Sequence, residues 1–248
     1  MTNRAHLFTD ADNTLWDTDS VFATAQLEML REIERITGRN APDDEDRGLA
    51  FLRNIDQRIA AIHPDFLRYP PHLLARGLAL VLDGAAVEDA VSQVLAASTG
   101  NSDEFETAQA QFLKSIGRLP PLRNGVREAM FAISNVHIPI SVVTEERVER
   151  CRKFLVGHQL EGYVGNIVSV RKTAEAFLAL RQSAGGAKCF MVGDQIDRDV
   201  EPAAAAGFLT FYFPGGFSPY WASDSDLRGS KQIARYDAIV PDILEAQT

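Results

Sequence analysis

At 248 residues, with 46% hydrophobic and 24% charged side chains, the chain has the composition of a soluble globular protein able to bury one large core, or a core and a smaller second unit. Its net charge of −9 argues against a nucleic-acid partner, which would need a basic face, but leaves room for an anionic small substrate beside a bound cation. No apolar run is long enough to predict a membrane span, and the start, Met1-Thr2-Asn3-Arg4, lacks the apolar stretch expected of a secretory signal.

The first predicted strand covers about residues 5–10 and runs into Asp10-Ala11-Asp12-Asn13-Thr14. On an extended backbone, residues i and i+2 point the same way, roughly 6.5–7 Å apart, leaving room for one reacting atom between a nucleophile and a proton donor. Asp-x-Asp also occurs in ordinary polar turns, so this pair stands open by itself.

From about residue 20 to 116 the pattern is helical. Val21, Phe22, Ala25, Met29, Ile33 and Ile36 keep amphipathic spacing, with Gly38 at the stop. A second helix opens at 43–46, a third at Pro70-Pro71 ending by Gly84, and two more cover 87–97 and 105–116. Between the second and third, Ile62 to His72 mixes aromatic, basic and imidazole groups. Arg68 and His72 there, with Arg53 or Arg76, are candidates for reading a substrate, although a proline-stiffened surface loop accounts for the same residues. A turn-rich re-entry follows at 119–126. Apolar runs at 138–143, 164–170, 189–192, 209–213 and 238–240 then alternate with helical patterns, which predicts a parallel sheet covered on both faces. The helical block thus reads as an insertion: an α/β core over 1–17 and 118–248, and an all-helical unit over 18–117. Cys151 and Cys189 match no metal-knuckle or CxxC spacing and suit small buried residues in a reduced, cytoplasmic compartment. Trp16, Trp221, His6 and His137 read as packing residues.

Three further positions fall at predicted strand ends, where ligands bind in such sheets. Thr144 could donate to a phosphoryl oxygen or cap the next helix. Lys172, or its neighbour Arg171, could neutralise a transferring group. In Gly193-Asp194 and Asp199, Asp194 is a hard-oxygen ligand suited to Mg²⁺, while Asp199 has a plain alternative as a helix cap.

In this order the residues resemble the haloacid dehalogenase-like superfamily over essentially the whole chain. Asp10-Ala11-Asp12-Asn13-Thr14 is similar to its DxDx[TV] motif, Thr144 to its Ser/Thr motif, Lys172 to its lysine, and Gly193-Asp194 with Asp199 to its GDxxxxD motif. The resemblance implies a Rossmann-like α/β fold with a C1-type helical cap, and Mg²⁺-dependent hydrolysis of a small phosphorylated metabolite. It makes Asp10 the nucleophile and Asp12 the general acid/base. Mg²⁺ falls to Asp10, the Asp12 main-chain carbonyl and Asp194. Thr144 and Lys172 bind phosphoryl oxygens, and Asp199 orients Lys172 or supports the metal. Two positions depart from the pattern. Thr173 follows Lys172 where proline is common, with Arg171 before it, and Glu145 follows Thr144 where asparagine or glycine is frequent, placing an extra carboxylate near the substrate. A phosphomutase shares every core motif. A 2-haloacid dehalogenase lacks an aspartate at position 12, and a non-catalytic relative would usually have lost Asp10, Asp12 or Asp194.

Overall fold

The computed structural model describes residues 5–41, 44–64, 69–96, 105–216, 227 and 229–246. In chain order the elements are β1 (Ala5–Thr9), α1 (Thr18–Thr37), α2 (Glu45–Ile62), α3 (Pro71–Leu82), α4 (Val87–Ala96), α5 (Glu106–Ser115), α6 (Val126–Asn135), β2 (Ile140–Thr144), α7 (Val148–Gly157) and β3 (Asn166–Ser169). They continue with α8 (Ala174–Ser183), β4 (Lys188–Gly193), α9 (Glu201–Ala205), β5 (Leu209–Tyr212), β6 (Lys231–Gln232) and α10 (Val240–Glu245). Two compact units result. Among the described residues, one contains the sheet, with the residues up to Asp19 and those from Leu119 onward, and the other those within Ser20–Arg118.

The strands pair in parallel in the order β3-β2-β1-β4-β5-β6. Strand period two explains how both faces are covered. Leu7, Val142, Phe190 and Val192 enter a core with α6, α7 and α10, while Phe8, Val143, Cys189 and Met191 enter a second core with α8 and α9. The strand order reverses between β1 and β4, so the carboxyl ends of these two strands flank the crevice where such sheets bind ligands. Thr9 pairs with Val142 on one side and Val192 on the other, which brings Asp10 level with the ends of β2 and β4.

The sixth strand differs from expectation. Residues 238–240 are helical: a short 3₁₀ turn, Tyr236–Ile239, leads into α10. Pro241 in the first turn of α10 explains this, since proline lacks the N–H a sheet ladder needs and has a φ suited to a helix start. The last strand is instead the short, exposed Lys231–Gln232, whose two residues carry no apolar pattern. Strand β3 is shorter than the predicted run 164–170, and the 3₁₀ turn Glu161–Tyr163 precedes that run.

The helical unit closes around Met29, Ile33, Leu52, Ile55, Ile59, Leu74 and Leu78. Within it Asp56 is buried, accepting from Gln26 Nε2 at 2.9 Å and from the Tyr69 hydroxyl. No helix among the described residues is long and apolar enough to cross a membrane.

Candidate active site

Asp10 extends the β1 ladder by one bond, its N–H donating to Val192 O at 2.8 Å. The chain then turns, with Leu15 N–H donating to Ala11 O at 2.8 Å and Asn13 at φ 56°, a left-handed conformation asparagine adopts more readily than most residues. Asp12 is thereby carried onto the turn. Its Oδ1 accepts from Trp16 Nε1 at 3.0 Å and from Thr18 Oγ1 at 2.8 Å.

At the end of β4, Gly193 has no room for a side chain, because a Cβ there would fall onto the Asp199 side chain. This close approach is the physical reason for glycine before Asp194. Asp199 sits in the single π-helical turn Ile196–Val200, where Oδ2 accepts the Gln195 N–H at 3.0 Å and Oδ1 meets Lys172 Nζ at 2.5 Å. The same ammonium also contacts Asp10 Oδ1. Carboxylate oxygens of Asp10, Asp194 and Asp199 lie within 4.8 Å of one another.

Burial sets the electrostatics. It pushes the Asp10 carboxyl up to about 7, with Lys172 pulling it back and Asp199 adding to the rise. Burial, with Asp10 and Asp199, also lifts Asp194 well above the usual carboxylate range, against Lys172 and Arg123. Desolvation alone would lower Lys172, but Asp10 and Asp199 outweigh it and hold the ammonium charged. Asp10 Oδ2 is buried without a hydrogen-bond partner among the described residues. A buried carboxylate oxygen lacking a donor, amid an excess of carboxylates over cations, suits a hard divalent cation such as Mg²⁺.

Of the other predicted residues, Thr144 ends β2 in a buried position, and its Oγ1 accepts Glu146 N–H at 3.0 Å, leaving its own O–H to donate. It is not a helix cap, since α7 begins after Arg147. Both Glu145 oxygens are engaged. Oε1 accepts the Lys172 N–H at 3.1 Å, and Oε2 pairs with Arg198 at 2.9 Å. Lys172 turns inward with its side chain 6% exposed, whereas Arg171 is exposed. Thr173, in place of proline, caps α8 by accepting Ala176 N–H at 3.3 Å. His72 lies in α3, in the helical unit, and Arg68 falls outside the described residues.

Sequence reasoning missed Arg123. Its Nη1 donates to Asn13 O at 2.5 Å and to Phe213 O at 3.1 Å, its Nη2 donates to Pro214 O at 2.7 Å, and its guanidinium lies 3.5 Å from the Phe213 ring centroid. The sequence signal was slight: one long cation within an apolar, turn-rich re-entry.

The family model for haloacid dehalogenase-like hydrolases matches residues 5–207, spanning every residue of this carboxylate–lysine cluster. The chain belongs to that family. It is therefore a HAD-like hydrolase, an enzyme with an α/β Rossmann-like core. Among solved structures it is similar to a haloacid dehalogenase-like hydrolase from Xanthomonas campestris (TM-score 0.65, 16% identity, covering 100% of this chain and 97% of that one). It is also similar to the HAD-hydrolase YfnB from Bacillus subtilis, solved bound to magnesium (TM-score 0.59, 14% identity, coverage 98% and 100%). A third likeness is to a predicted phosphoglycolate phosphatase from Haemophilus somnus (TM-score 0.58, 17% identity, coverage 98% and 98%). At these identities the likeness of this HAD-like hydrolase to them is one of fold. No curated protein matches it in sequence.

Proposed function

We propose that this HAD-like hydrolase is a Mg²⁺-dependent phosphomonoesterase acting on a small phosphorylated metabolite through an aspartyl-phosphate on Asp10. The observation that carries this reading is the buried ammonium of Lys172 held between Asp10 and Asp199, beside an Asp10 oxygen that no donor among the described residues reaches. Asp10 and Asp194, with the Asp12 main-chain carbonyl, would hold the ion. The B. subtilis structure, solved bound to magnesium, supports Mg²⁺ as the ion. When bound, the ion neutralises charge on the phosphoryl group and on the carboxylates around it.

The Asp10 carboxylate attacks phosphorus and the bond from phosphorus to the ester oxygen breaks. Asp12 gives its proton to the departing alkoxide. Water then attacks the phosphorus of the acyl phosphate, Asp12 takes the water's proton, and phosphate leaves as the Asp10 carboxylate is restored. Lys172 and the Thr144 hydroxyl bind phosphoryl oxygens throughout. Asp199, with one oxygen on Gln195 N–H and one on Lys172, keeps the ammonium aimed at Asp10. Two hydrogen bonds onto Asp12 Oδ1 occupy the lone pairs of that atom, so the transferable proton resides on Oδ2.

The helical unit Ser20–Arg118 is assigned the role of a C1-type cap that selects the leaving group, within a cytoplasmic enzyme. The dehalogenase reading is less well supported, because departing halide needs neither proton nor metal, and this chain carries an aspartate at position 12. The test is release of inorganic phosphate from a panel of sugar phosphates, nucleotides and phosphoglycolate, with Mg²⁺ and with a chelator. Mg²⁺-dependent release supports the reading. Isomerised sugar phosphate without phosphate release would favour a phosphomutase, and no turnover of any ester would refute both.

A further inference from the structure

We propose that Arg123 is a positioning residue of the cation site, fixing the turn after β1 and the segment after β5 on either side of Asp194. The inference rests on the cation reading above and goes beyond it, because Arg123 belongs to none of the sequence motifs that support that reading.

The side chain makes three bonds to main-chain carbonyls from two distant stretches of chain. Nη1 donates to Asn13 O, one residue beyond Asp12, and to Phe213 O; Nη2 donates to Pro214 O. The planar guanidinium also stacks 3.5 Å from the centroid of Phe213. Such a fork is a property of arginine, whose donors are fixed relative to one another, and lysine lacks it. Arg123 is itself held in place. Its N–H donates to Leu15 O at 3.0 Å, and Asp17 N–H donates to Pro121 O at 2.8 Å, so its backbone is tied to the same turn its side chain grips.

The two gripped segments meet at Asp194. A Cβ built on Gly215 would lie 2.8 Å from Asp194 Oδ2 and 3.2 Å from Asn13 Cβ, so the strip just past Pro214 forms a wall against that carboxylate. Phe213 N–H donates to Gly193 O at 2.8 Å, linking the wall to the residue that precedes Asp194. Without the fork, Asn13 and Pro214 lose their shared anchor, and the ligating oxygens on either side of the crevice lose their fixed spacing.

The charge of Arg123 and its geometry make opposite demands on a divalent cation, and that opposition provides the test. A positive group facing Asp194 repels the ion, so if charge were its whole effect, Arg123→Met would tighten metal binding and Arg123→Lys would leave it unchanged. A positioning role predicts weaker binding in both, by about 10–100-fold, the range seen when residues supporting metal ligands are removed. Direct Mn²⁺ titration by electron paramagnetic resonance, on full-length wild type, Arg123→Met, Arg123→Lys and the remote core variant Ile133→Val, reads this without reference to turnover. Circular dichroism establishes that each is folded, and if Arg123→Met does not fold, Arg123→Lys decides. Weakened binding in the Arg123 variants, with Ile133→Val like wild type, supports the proposal. Unchanged or tighter binding in Arg123→Lys overturns it, as does an equal loss in Ile133→Val. Absence of Mn²⁺ binding by the wild type would instead refute the cation reading itself.

Discussion

Lys172 Nζ lies 2.5 Å from Asp199 Oδ1 and contacts Asp10 Oδ1 at the same time, so one buried ammonium links the end of β1 to the turn after β4. The backbone of Lys172 is set by Glu145 Oε1, which accepts its N–H at 3.1 Å. On the proposed reading, replacing Lys172 by Met removes a preorganised cation from the transferring group, and kcat is expected to fall about 10²–10³-fold. Asp199→Asn keeps the shape but weakens the grip on Lys172, and its loss should be smaller. Steady-state kinetics on any ester the wild type accepts checks the ranking; a larger loss in Asp199→Asn than in Lys172→Met would contradict it.

Gly193→Ala tests the packing behind that link. The added methyl must displace the Asp199 side chain, since no free space exists at that position. Overpacking of this kind costs about 1–3 kcal/mol. A lowered thermal midpoint together with reduced kcat is expected, and an unchanged midpoint would mean that Asp199 moves aside freely.

As the proposed general acid, Asp12 should matter only where the leaving group needs a proton. Asp12→Asn should lower kcat about 10²–10⁴-fold for an alkyl phosphate, and markedly less for p-nitrophenyl phosphate, whose phenolate departs unprotonated. Equal losses for both substrates would remove Asp12 from the role of acid.

The raised carboxyls make metal binding and stability depend on pH with a definite sign. Asp10, normally near 3.8, titrates at about 7 in the folded chain, and Asp194 is raised as well, both first through burial. Groups that bind protons more tightly when folded stabilise the protein below their unfolded values, and that contribution is lost as pH rises through about 7. In a chelator, the midpoint of the wild type should therefore fall more between about pH 5 and pH 8 than that of an Asp10→Asn/Asp194→Asn double variant. Mg²⁺ should raise the wild-type midpoint more at about pH 8 than at about pH 5, since protons and the cation compete for the same oxygens. A Mg²⁺ effect that shrinks with rising pH would contradict this.

The sequence made the candidate site residues legible wherever they sit at a strand end. Asp10, Thr144, Asp194 and the inward lysine each follow a short apolar run, and parallel pairing brings such ends to one edge. What remained illegible depends on contacts between distant segments. Spacing does not tell Lys172 from Arg171, because the choice is made by Asp10 and Asp199, far off in sequence. The extra carboxylate of Glu145 reads as a group facing substrate, yet its partners are Lys172 N–H and Arg198. Arg123 was hidden because its partners are backbone carbonyls, which have no side-chain signature. Residues 238–240 have the apolar pattern of a strand, but Pro241, which follows them, suits the helix start that forms there.

The most direct test of the account is transfer of labelled phosphate onto the protein. Rapid acid quench of the enzyme with a ³²P-labelled phosphate ester, followed by peptide mapping, should place the label on the peptide containing Asp10. The label should be lost in Asp10→Asn and should persist longer in Asp12→Asn when the ester has a good leaving group. Label on another residue, or full turnover by a folded Asp10→Asn enzyme, would contradict the account.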